Sequence, residues 1–261
     1  MFNLTQFSDM LNSKIEWCDH TVNLWWGCTE VHEGCDNCYA KNLAKRYGHD
    51  LWGNGVGRKH IKSAFEVLDK IQKKAENHSK IEYVFVGSMM DIFEKPMKLS
   101  DDSPFGTFTG HLRNEFFRRI DENCYPNLVF LLLTKRPSNI NKYIPTYWLN
   151  NPPKNVFFGL SVVNQKTSDN LIPMLLKVNG RKFLSVEPQL EPLSLEQWLP
   201  SGELHWIIQG GESGPRKRPF NTDWGRQLRD ECSKYNVPYF FKQIDKIQEI
   251  PEDLLIREFP K

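Results

Sequence analysis

Three cysteines, Cys28, Cys35 and Cys38, lie close together near the start of the chain, in Gly-Cys-Thr-Glu-Val-His-Glu-Gly-Cys-Asp-Asn-Cys-Tyr-Ala. Thiolates at such spacing are typical metal ligands. One interpretation is a structural zinc site, which needs a fourth protein ligand. The candidates for that ligand are His32, His20 and Cys18. The other is an iron–sulfur cluster held by three thiolates, with one iron open to an external ligand. The spacing leaves both chemistries open.

A second set of polar and glycine residues follows a series of short apolar runs. These positions are Gly87, Ser88, Asp91, Thr134, Lys135, Arg136, Ser161, Asn164, Ser185, Glu187, Gln209, Gly210, Gly211, Glu212 and Ser213. If the runs are parallel strands, their carboxyl ends meet at one edge, where α/β enzymes carry out chemistry. Paired glycines admit a close backbone approach, carboxylates hold ammonium or ribose groups, and basic side chains hold carboxylate or phosphate. The set suits a zwitterionic nucleoside ligand.

The elements that must position these residues alternate between strands and helices. The strands are predicted at 83–87, 128–134, 156–161, 182–186, 206–209 and 238–241, as near-continuous runs of Val, Ile, Leu and Phe. Amphipathic helices are predicted at 37–47, 63–77, 110–122, 168–176 and 223–235. This alternation predicts an α/β fold with a parallel sheet. About six strands suit a partial, open β/α barrel better than a closed one.

The 261 residues suffice for one α/β domain, and we expect a single domain over 1–261. Within it, we expect a cysteine-cluster loop with the first helix at 15–48, a strand–helix barrel core at 80–245 and a C-terminal tail at 246–261. The net charge of +2 does not by itself indicate nucleic acid or membrane. No signal peptide or membrane-length apolar run is evident. We expect a cytoplasmic protein with no membrane partner.

The chain resembles a known family through motifs that occur in a fixed order. They are Trp-Gly-Cys-Thr, Gly-Cys-Asp-Asn-Cys-Tyr-Ala, Gly-Ser-Met-Met-Asp-Ile-Phe, Leu-Thr-Lys-Arg-Pro, Gly-Leu-Ser-Val, Phe-Leu-Ser-Val-Glu-Pro, Gly-Gly-Glu-Ser-Gly-Pro and Phe-Phe-Lys-Gln. This pattern is similar to an uncharacterised, phage-associated family known as a domain of unknown function. If a phage encodes this protein, we expect to find it in the cytoplasm of the host cell. More distantly, the layout resembles the radical S-adenosylmethionine (SAM) superfamily, in particular its spore photoproduct lyase-like branch.

The distant resemblance implies a radical-SAM-like partial barrel and an enzyme. Cys28, Cys35 and Cys38 would bind a [4Fe–4S] cluster, although the superfamily's usual first gap is three residues and here it is six. The enzyme would cleave SAM reductively to a 5′-deoxyadenosyl radical that abstracts hydrogen from a substrate, for which a nucleic-acid base or nucleotide is the candidate. A flavodoxin or ferredoxin would donate the electron. The predicted cofactor-binding residues are Gly87, Ser88, Asp91, Thr134, Lys135, Ser161, Glu187, Gly210, Gly211 and Glu212. The alternative is a non-enzymatic zinc module that binds nucleic acid or a protein partner.

Overall fold

In a computed structural model, residues 13–260 are described. Nine strands are present in this range. They are β1 His20–Val22, β2 Trp25–Trp26, β3 Lys59–His60, β4 Glu82–Val86, β5 Leu128–Thr134, β6 Val156–Val162, β7 Arg181–Val186, β8 Trp206–Gly210 and β9 Tyr239–Gln243. Six α-helices accompany them. They are α1 Tyr39–Arg46, α2 Ala64–Asn77, α3 Thr109–Asp121, α4 Ile140–Tyr143, α5 Gln165–Leu175 and α6 Thr222–Lys234.

Seven strands form one parallel sheet in the order β1-β4-β5-β6-β7-β8-β9, curled into a half-barrel. The predicted α/β class and open parallel barrel are therefore confirmed. All six predicted strands lie in this sheet. Strand β1 is the additional one, and it pairs with β4 through His20 opposite Val84. Its three residues, His-Thr-Val, lack the apolar run by which the others were recognised. The small antiparallel pair β2–β3 lies outside the sheet.

The sheet buries both faces, which explains why its strands are apolar almost throughout. Side chains alternate between the faces. One face packs against the helices in a large core that contains, for example, Phe130 and Phe158 from the strands and Phe116 from α3. The concave face has its own aromatic cluster, which we call the barrel floor. It consists of Trp17, Cys18, Phe85, Leu131, Phe157, Phe183, Trp206, Ile208 and Phe240.

The segment 255–260 covers the free edge of β9. The Phe241 N–H donates to the Ile256 carbonyl at 3.0 Å, and the Glu258 N–H donates to the Tyr239 carbonyl at 3.1 Å. The segment then crosses beneath the barrel floor, where the Tyr83 hydroxyl donates to the Pro260 carbonyl at 3.1 Å. An exposed sheet edge is a template for pairing with other chains, and this segment removes it.

The predicted division into loop, core and tail stays a prediction. Within residues 13–260, none of the helices combines the length and apolar composition that crossing a membrane requires.

Candidate functional site

A cavity of about 290 Å³ opens at the carboxyl ends of the parallel strands. This volume is near the lower end of the range for small-molecule sites. Most of the predicted site residues line this one cavity. They are Cys28, Cys35, Cys38, Gly87, Ser88, Asp91, Thr134, Lys135, Ser161, Glu187, Gly211 and Glu212. Gly210 does not line it, whereas Gly211 does. The ladder between β8 and β9 shifts register at Gln209 and Gly210.

The cavity exists because the inward-facing side chains become smaller toward the strand ends. Along β6 the alternate positions are Phe157, Gly159 and Ser161, and along β7 Phe183 is followed by Ser185. A Cβ at Gly159 would lie 2.2 Å from Cζ of Phe183, so the glycine provides the room for that ring. The barrel floor therefore fills the lower barrel and leaves the upper part open.

The cysteine segment forms one wall of the cavity. All three thiols are free and partly buried. Burial, reinforced by the charge of Asp91, raises the pKa of Cys28 to about 12. This thiol is therefore protonated at neutral pH, and a metal that binds there must displace its proton.

Two arginines hold Thr29, the residue that follows Cys28. Arg136 donates to the Thr29 carbonyl, and its Nη1 lies 3.8 Å from Sγ of Cys28. Arg58 donates from Nη2 to the Thr29 hydroxyl at 2.9 Å. The first cysteine is thereby anchored to the strand ends through its neighbour Thr29.

Asp91 connects this anchor to the end of β5. One carboxylate oxygen accepts from the Thr134 hydroxyl at 2.7 Å. The other accepts from Nη1 of Arg136 at 2.6 Å and from the Lys135 N–H at 3.2 Å. Asp91 is buried and its charge is neutralised by Arg136, so in this structure it organises the site.

Arg58 and Glu94 form a fully buried ion pair behind the cysteine wall. Arg58 donates from Nε and Nη2 to the two Glu94 carboxylate oxygens at 3.0 and 2.8 Å, and from Nη1 to the Leu51 and Val56 carbonyls. Removing one partner of such a pair costs about 3–5 kcal/mol. Arg58 lies in the basic stretch 57–62, but its side chain is fully buried and joins the segments around it.

The segment after β4 turns at Gly87, whose φ of +118° favours glycine. The Ser88 hydroxyl accepts from Nδ2 of Asn23 at 2.9 Å, and the Ser88 carbonyl accepts from the Tyr39 hydroxyl at 2.8 Å. Tyr39 directly follows Cys38, so the third cysteine is tied to the end of β4.

The opposite wall carries two more carboxylates, each paired with a base. Glu187, after β7, pairs with Lys242 of β9. Glu212 accepts from Nη2 of Arg218 at 2.6 Å and from Nδ2 of Asn37 at 2.9 Å. Burial pushes the pKa of Glu212 upward, but the hydrogen bonds from Arg218 and Asn37 outweigh it and lower the pKa below its ordinary value.

Gly211 is packed so closely that no side chain fits. A Cβ there would lie 2.1 Å from the Ile244 carbonyl oxygen and 2.7 Å from Cβ of Phe220. The Gly-Gly-Glu segment thus presents backbone, not side chain, to the cavity at this point.

The three residues considered as a fourth zinc ligand lie apart from the cavity wall. His20 pairs with Glu82 at 2.5 Å, and Cys18 belongs to the barrel floor. Nδ1 of His32 accepts the Gly34 N–H at 3.1 Å, while its Nε2 is buried without a partner. Burial, with the nearby Lys135 charge, lowers the pKa of His32 to about 4. Across residues 13–260, no three His, Cys, Asp or Glu side chains are arranged to hold a single metal ion.

Sequence reasoning missed several residues at the site. Lys242 and Lys246 line the cavity, and Lys242 could have been found from its place in Phe-Phe-Lys-Gln at the end of a strand. Arg58 and Glu94 carry no local signal, since their pairing joins distant loops. Asn164, expected among the strand-end polar groups, caps α5 by accepting the Thr167 N–H at 2.9 Å and also donates to Glu33 at 2.6 Å.

Comparison with protein-family models gives one match, "Protein of unknown function (DUF5131)", over residues 12–252. The chain belongs to this family. Its membership confirms the expected relationship to a domain of unknown function and covers nearly the whole length. By sequence, no curated protein matches this family member significantly.

Solved structures of spore photoproduct lyase resemble this member of the family. A cysteine-to-serine mutant is 11% identical with a TM-score of 0.56, over 89% of this chain and 78% of the lyase. A cysteine-to-alanine mutant with dinucleoside spore photoproduct is 12% identical with a TM-score of 0.50, over 86% of this chain and 63% of the lyase. At these identities the similarity establishes a shared fold, and the expected likeness to the lyase is confirmed at that level.

Proposed function

We propose that this protein is a radical SAM enzyme that uses a [4Fe–4S] cluster held by Cys28, Cys35 and Cys38. The observation that carries the proposal is that three free thiols and the polar strand ends open on a single cavity in a lyase-like half-barrel. Such a cluster, when bound, supplies the electron that cleaves SAM to a 5′-deoxyadenosyl radical, which then takes hydrogen from the substrate.

The donor set fits a cluster with one open iron. The cavity wall includes three thiols and no fourth, and His32, the nearest candidate for a further protein ligand, is not part of that wall. An external ligand therefore has access to the position that the protein leaves free. Arg136, close to Cys28, places a positive charge beside the thiolate that the cluster requires.

The other cavity residues would bind the different parts of SAM, each according to its chemical type. The turn at Gly87 and Ser88 would hold the methionyl amine, and Lys135 would hold the carboxylate. Asp91 and Thr134, which are hydrogen-bonded to each other, would position these groups. Ser161, Glu187, Gly211 and Glu212 would surround the nucleoside, with Gly211 allowing close approach, while Gly210 would act only through the backbone of the segment that carries Gly211. The barrel floor would exclude water from below, since a reactive intermediate needs a dry cavity.

The substrate class in this proposal is a nucleic-acid base or nucleotide. It is supported by the fold shared with a lyase whose structure was solved with a dinucleoside spore photoproduct. A flavodoxin or ferredoxin would donate the electron, in the cytoplasm. A zinc module is the second candidate, favoured only by the buried, unpartnered Nε2 of His32, which the low pKa keeps neutral and able to bind metal.

The test is anaerobic reconstitution with iron and sulfide, followed by reduction and measurement of 5′-deoxyadenosine released from SAM. We expect about four irons per chain and cleavage that is lost in the Cys28, Cys35, Cys38 to Ala triple variant. Cys124→Ala is the matched control, because Cys124 is exposed and does not line the cavity. Bound zinc that is lost in His32→Ala, with no cleavage, would support the module instead.

A further inference from the structure

Four carboxylates and four basic side chains line the cavity, but they are not all paired with one another. Each carboxylate has a basic partner. The pairs are Glu30–Lys41 at 2.5 Å, Asp91–Arg136 at 2.6 Å, Glu187–Lys242, and Glu212–Arg218 at 2.6 Å. In the part of the chain that the structure describes, the ammonium groups of Lys135 and Lys246 line the same cavity with no carboxylate against them. Because Glu30 and Glu212 pair with Lys41 and Arg218, which do not line the cavity, two ammonium groups of the lining are left without a carboxylate partner.

These two lysines lie on different sides of the half-barrel. Lys135 follows β5 and Lys246 follows β9, four strands apart in the sheet. At about 4.8 Å per strand, the arc between the strands is roughly 19 Å, and the chord across the curled sheet is shorter. A single small anion does not satisfy both charges. Lys135 adjoins Arg136 and the cysteine wall, which is the side where the methionyl carboxylate belongs under the proposed function.

Lys246 occupies a rigidly built turn. The buried Asp245 carboxylate accepts from the N–H groups of Ile247 at 2.8 Å and Gln248 at 2.7 Å, and from Nζ of Lys217 at 2.7 Å. Lys246 itself has φ +68°, a conformation that a non-glycine residue adopts only where the surroundings enforce it. Asp245 thus neutralises Lys217 and fixes the backbone, while the Lys246 ammonium stays unpaired at the mouth.

The next residue supports a docking role for this turn. Ile247 is 79% exposed although the turn around it is ordered by four hydrogen bonds to Asp245. The ordered backbone therefore places Lys246 in the cavity lining, directly before one exposed apolar side chain, Ile247. That combination matches a ligand in which a phosphate adjoins a planar, weakly polar base.

From this geometry we propose that Lys246 binds a phosphate of the substrate, so that the substrate is a phosphorylated nucleoside, either a free nucleotide or a nucleic-acid strand. The inference rests on the proposed function in that it assigns the cavity to a substrate. Lys246 is a positioning residue here, since it holds the phosphate at the rim while the base enters the cavity.

The experiment measures binding to the purified protein in the absence of SAM and reductant. A fluorescein-labelled single-stranded 12-nucleotide DNA is titrated at several salt concentrations, and adenosine 5′-monophosphate is used as competitor. We expect Lys246→Ala to weaken binding of the labelled DNA five- to tenfold and to reduce the slope of log K against log salt by about 0.7, the value for one phosphate contact on a single strand. A merely structural residue would not change that slope.

Two further variants make the result specific. Lys246→Arg should restore most of the affinity and the slope, because it keeps the charge. Lys73→Ala is the matched control, since Lys73 is an exposed lysine on α2 that does not line the cavity. Competition by the monophosphate that depends on Lys246 identifies a free nucleotide, and binding of the DNA without such competition identifies a strand.

Three outcomes would overturn the inference: no binding of either phosphate probe, equal binding of a methylphosphonate strand of the same sequence, or an unchanged slope in Lys246→Ala. None of them bears on SAM cleavage, which is measured separately. Conversely, Lys246-dependent binding by a protein that never cleaves SAM would retain the phosphate site and reject the radical chemistry.

Discussion

The two ends of the half-barrel interior use the same strands for opposite purposes. At the lower end the inward positions are aromatic and pack into the barrel floor, where Trp206 lies with its ring centroid 6.1 Å from that of Phe183 and 6.2 Å from that of Phe240. At the upper end the next inward positions include Gly87, Ser161 and Ser185, which bound the cavity. The change occurs within one or two alternations along a strand. The barrel floor thus contributes close packing, whereas the strand ends leave space and provide polar groups.

The largest expected effect is at the floor. Trp206→Ala removes a fully buried indole that contacts Trp17, Phe183, Phe240 and Phe259, and the site has little freedom to collapse. We expect a loss of about 3–5 kcal/mol in the free energy of unfolding. Urea unfolding followed by tryptophan fluorescence and circular dichroism measures it. A loss below about 1 kcal/mol would mean that the floor is not tightly packed.

A smaller loss of stability is expected where backbone crowds the mouth. Gly211→Ala places a Cβ against the Ile244 carbonyl, so one strand end must shift, at a cost of about 1–3 kcal/mol. Gly57→Ala is the control, because its Cβ would meet no atom closer than 3.5 Å. Thermal unfolding of the two variants should differ clearly. Equal melting temperatures would show that the mouth tolerates side chains here.

Filling the mouth should separate binding from stability. Ser185→Phe adds a ring into the cavity, extending the aromatic pattern of β7 by one inward position. We expect SAM affinity to fall at least tenfold, about 1.4 kcal/mol, while the unfolding free energy changes by less than about 1 kcal/mol. Calorimetric titration with SAM tests the first part and urea unfolding the second. Unchanged affinity would place the cofactor outside this cavity.

The smallest effect concerns pH. The folded state lowers the pKa of Glu212, so its carboxylate stabilises the fold above its unfolded pKa, and this contribution is lost as pH falls through the folded pKa. Glu212→Gln should therefore be less stable than the natural protein by about 1 kcal/mol at pH 7, with the difference shrinking below about pH 4.5. Urea unfolding at pH 7, 5 and 3.5 checks this. A difference that grows toward acid would contradict the assignment.

The fold could be predicted wherever a strand or helix has a recognisable pattern of apolar residues in its own sequence. The apolar runs of β5 and β6 are buried on both faces, so no other element competes for those residues, and the amphipathic stripes of α2 and α6 match their burial. Strand β1 was not predicted because its three residues, His-Thr-Val, have no apolar or alternating pattern. Its position depends on its pairing with β4, which the sequence does not show.

The sequence predicted which residues lie at the site, but not which of their side chains form hydrogen bonds and ion pairs with one another. Parallel strands bring their carboxyl ends together, so the polar groups after β4, β5 and β8 had to meet. Which group donates to which carboxylate depends on side chains far apart in sequence, as with Arg58 and Glu94 or Asn37 and Glu212. That the Lys246 ammonium has no carboxylate partner could be recognised only once all of these pairs were known.

The segment 255–260 also has a consequence for folding kinetics. Its hydrogen bond from Tyr83 to Pro260 joins residues 177 positions apart, and contacts of such separation are costly in loop entropy and form late. Interactions absent from the transition state mainly slow unfolding. We therefore expect Phe259→Ala to accelerate unfolding in stopped-flow measurements and leave the refolding rate unchanged, and a slowed refolding would refute this order of events. The segment 255–260 would then determine how slowly the protein unfolds, rather than how fast it folds.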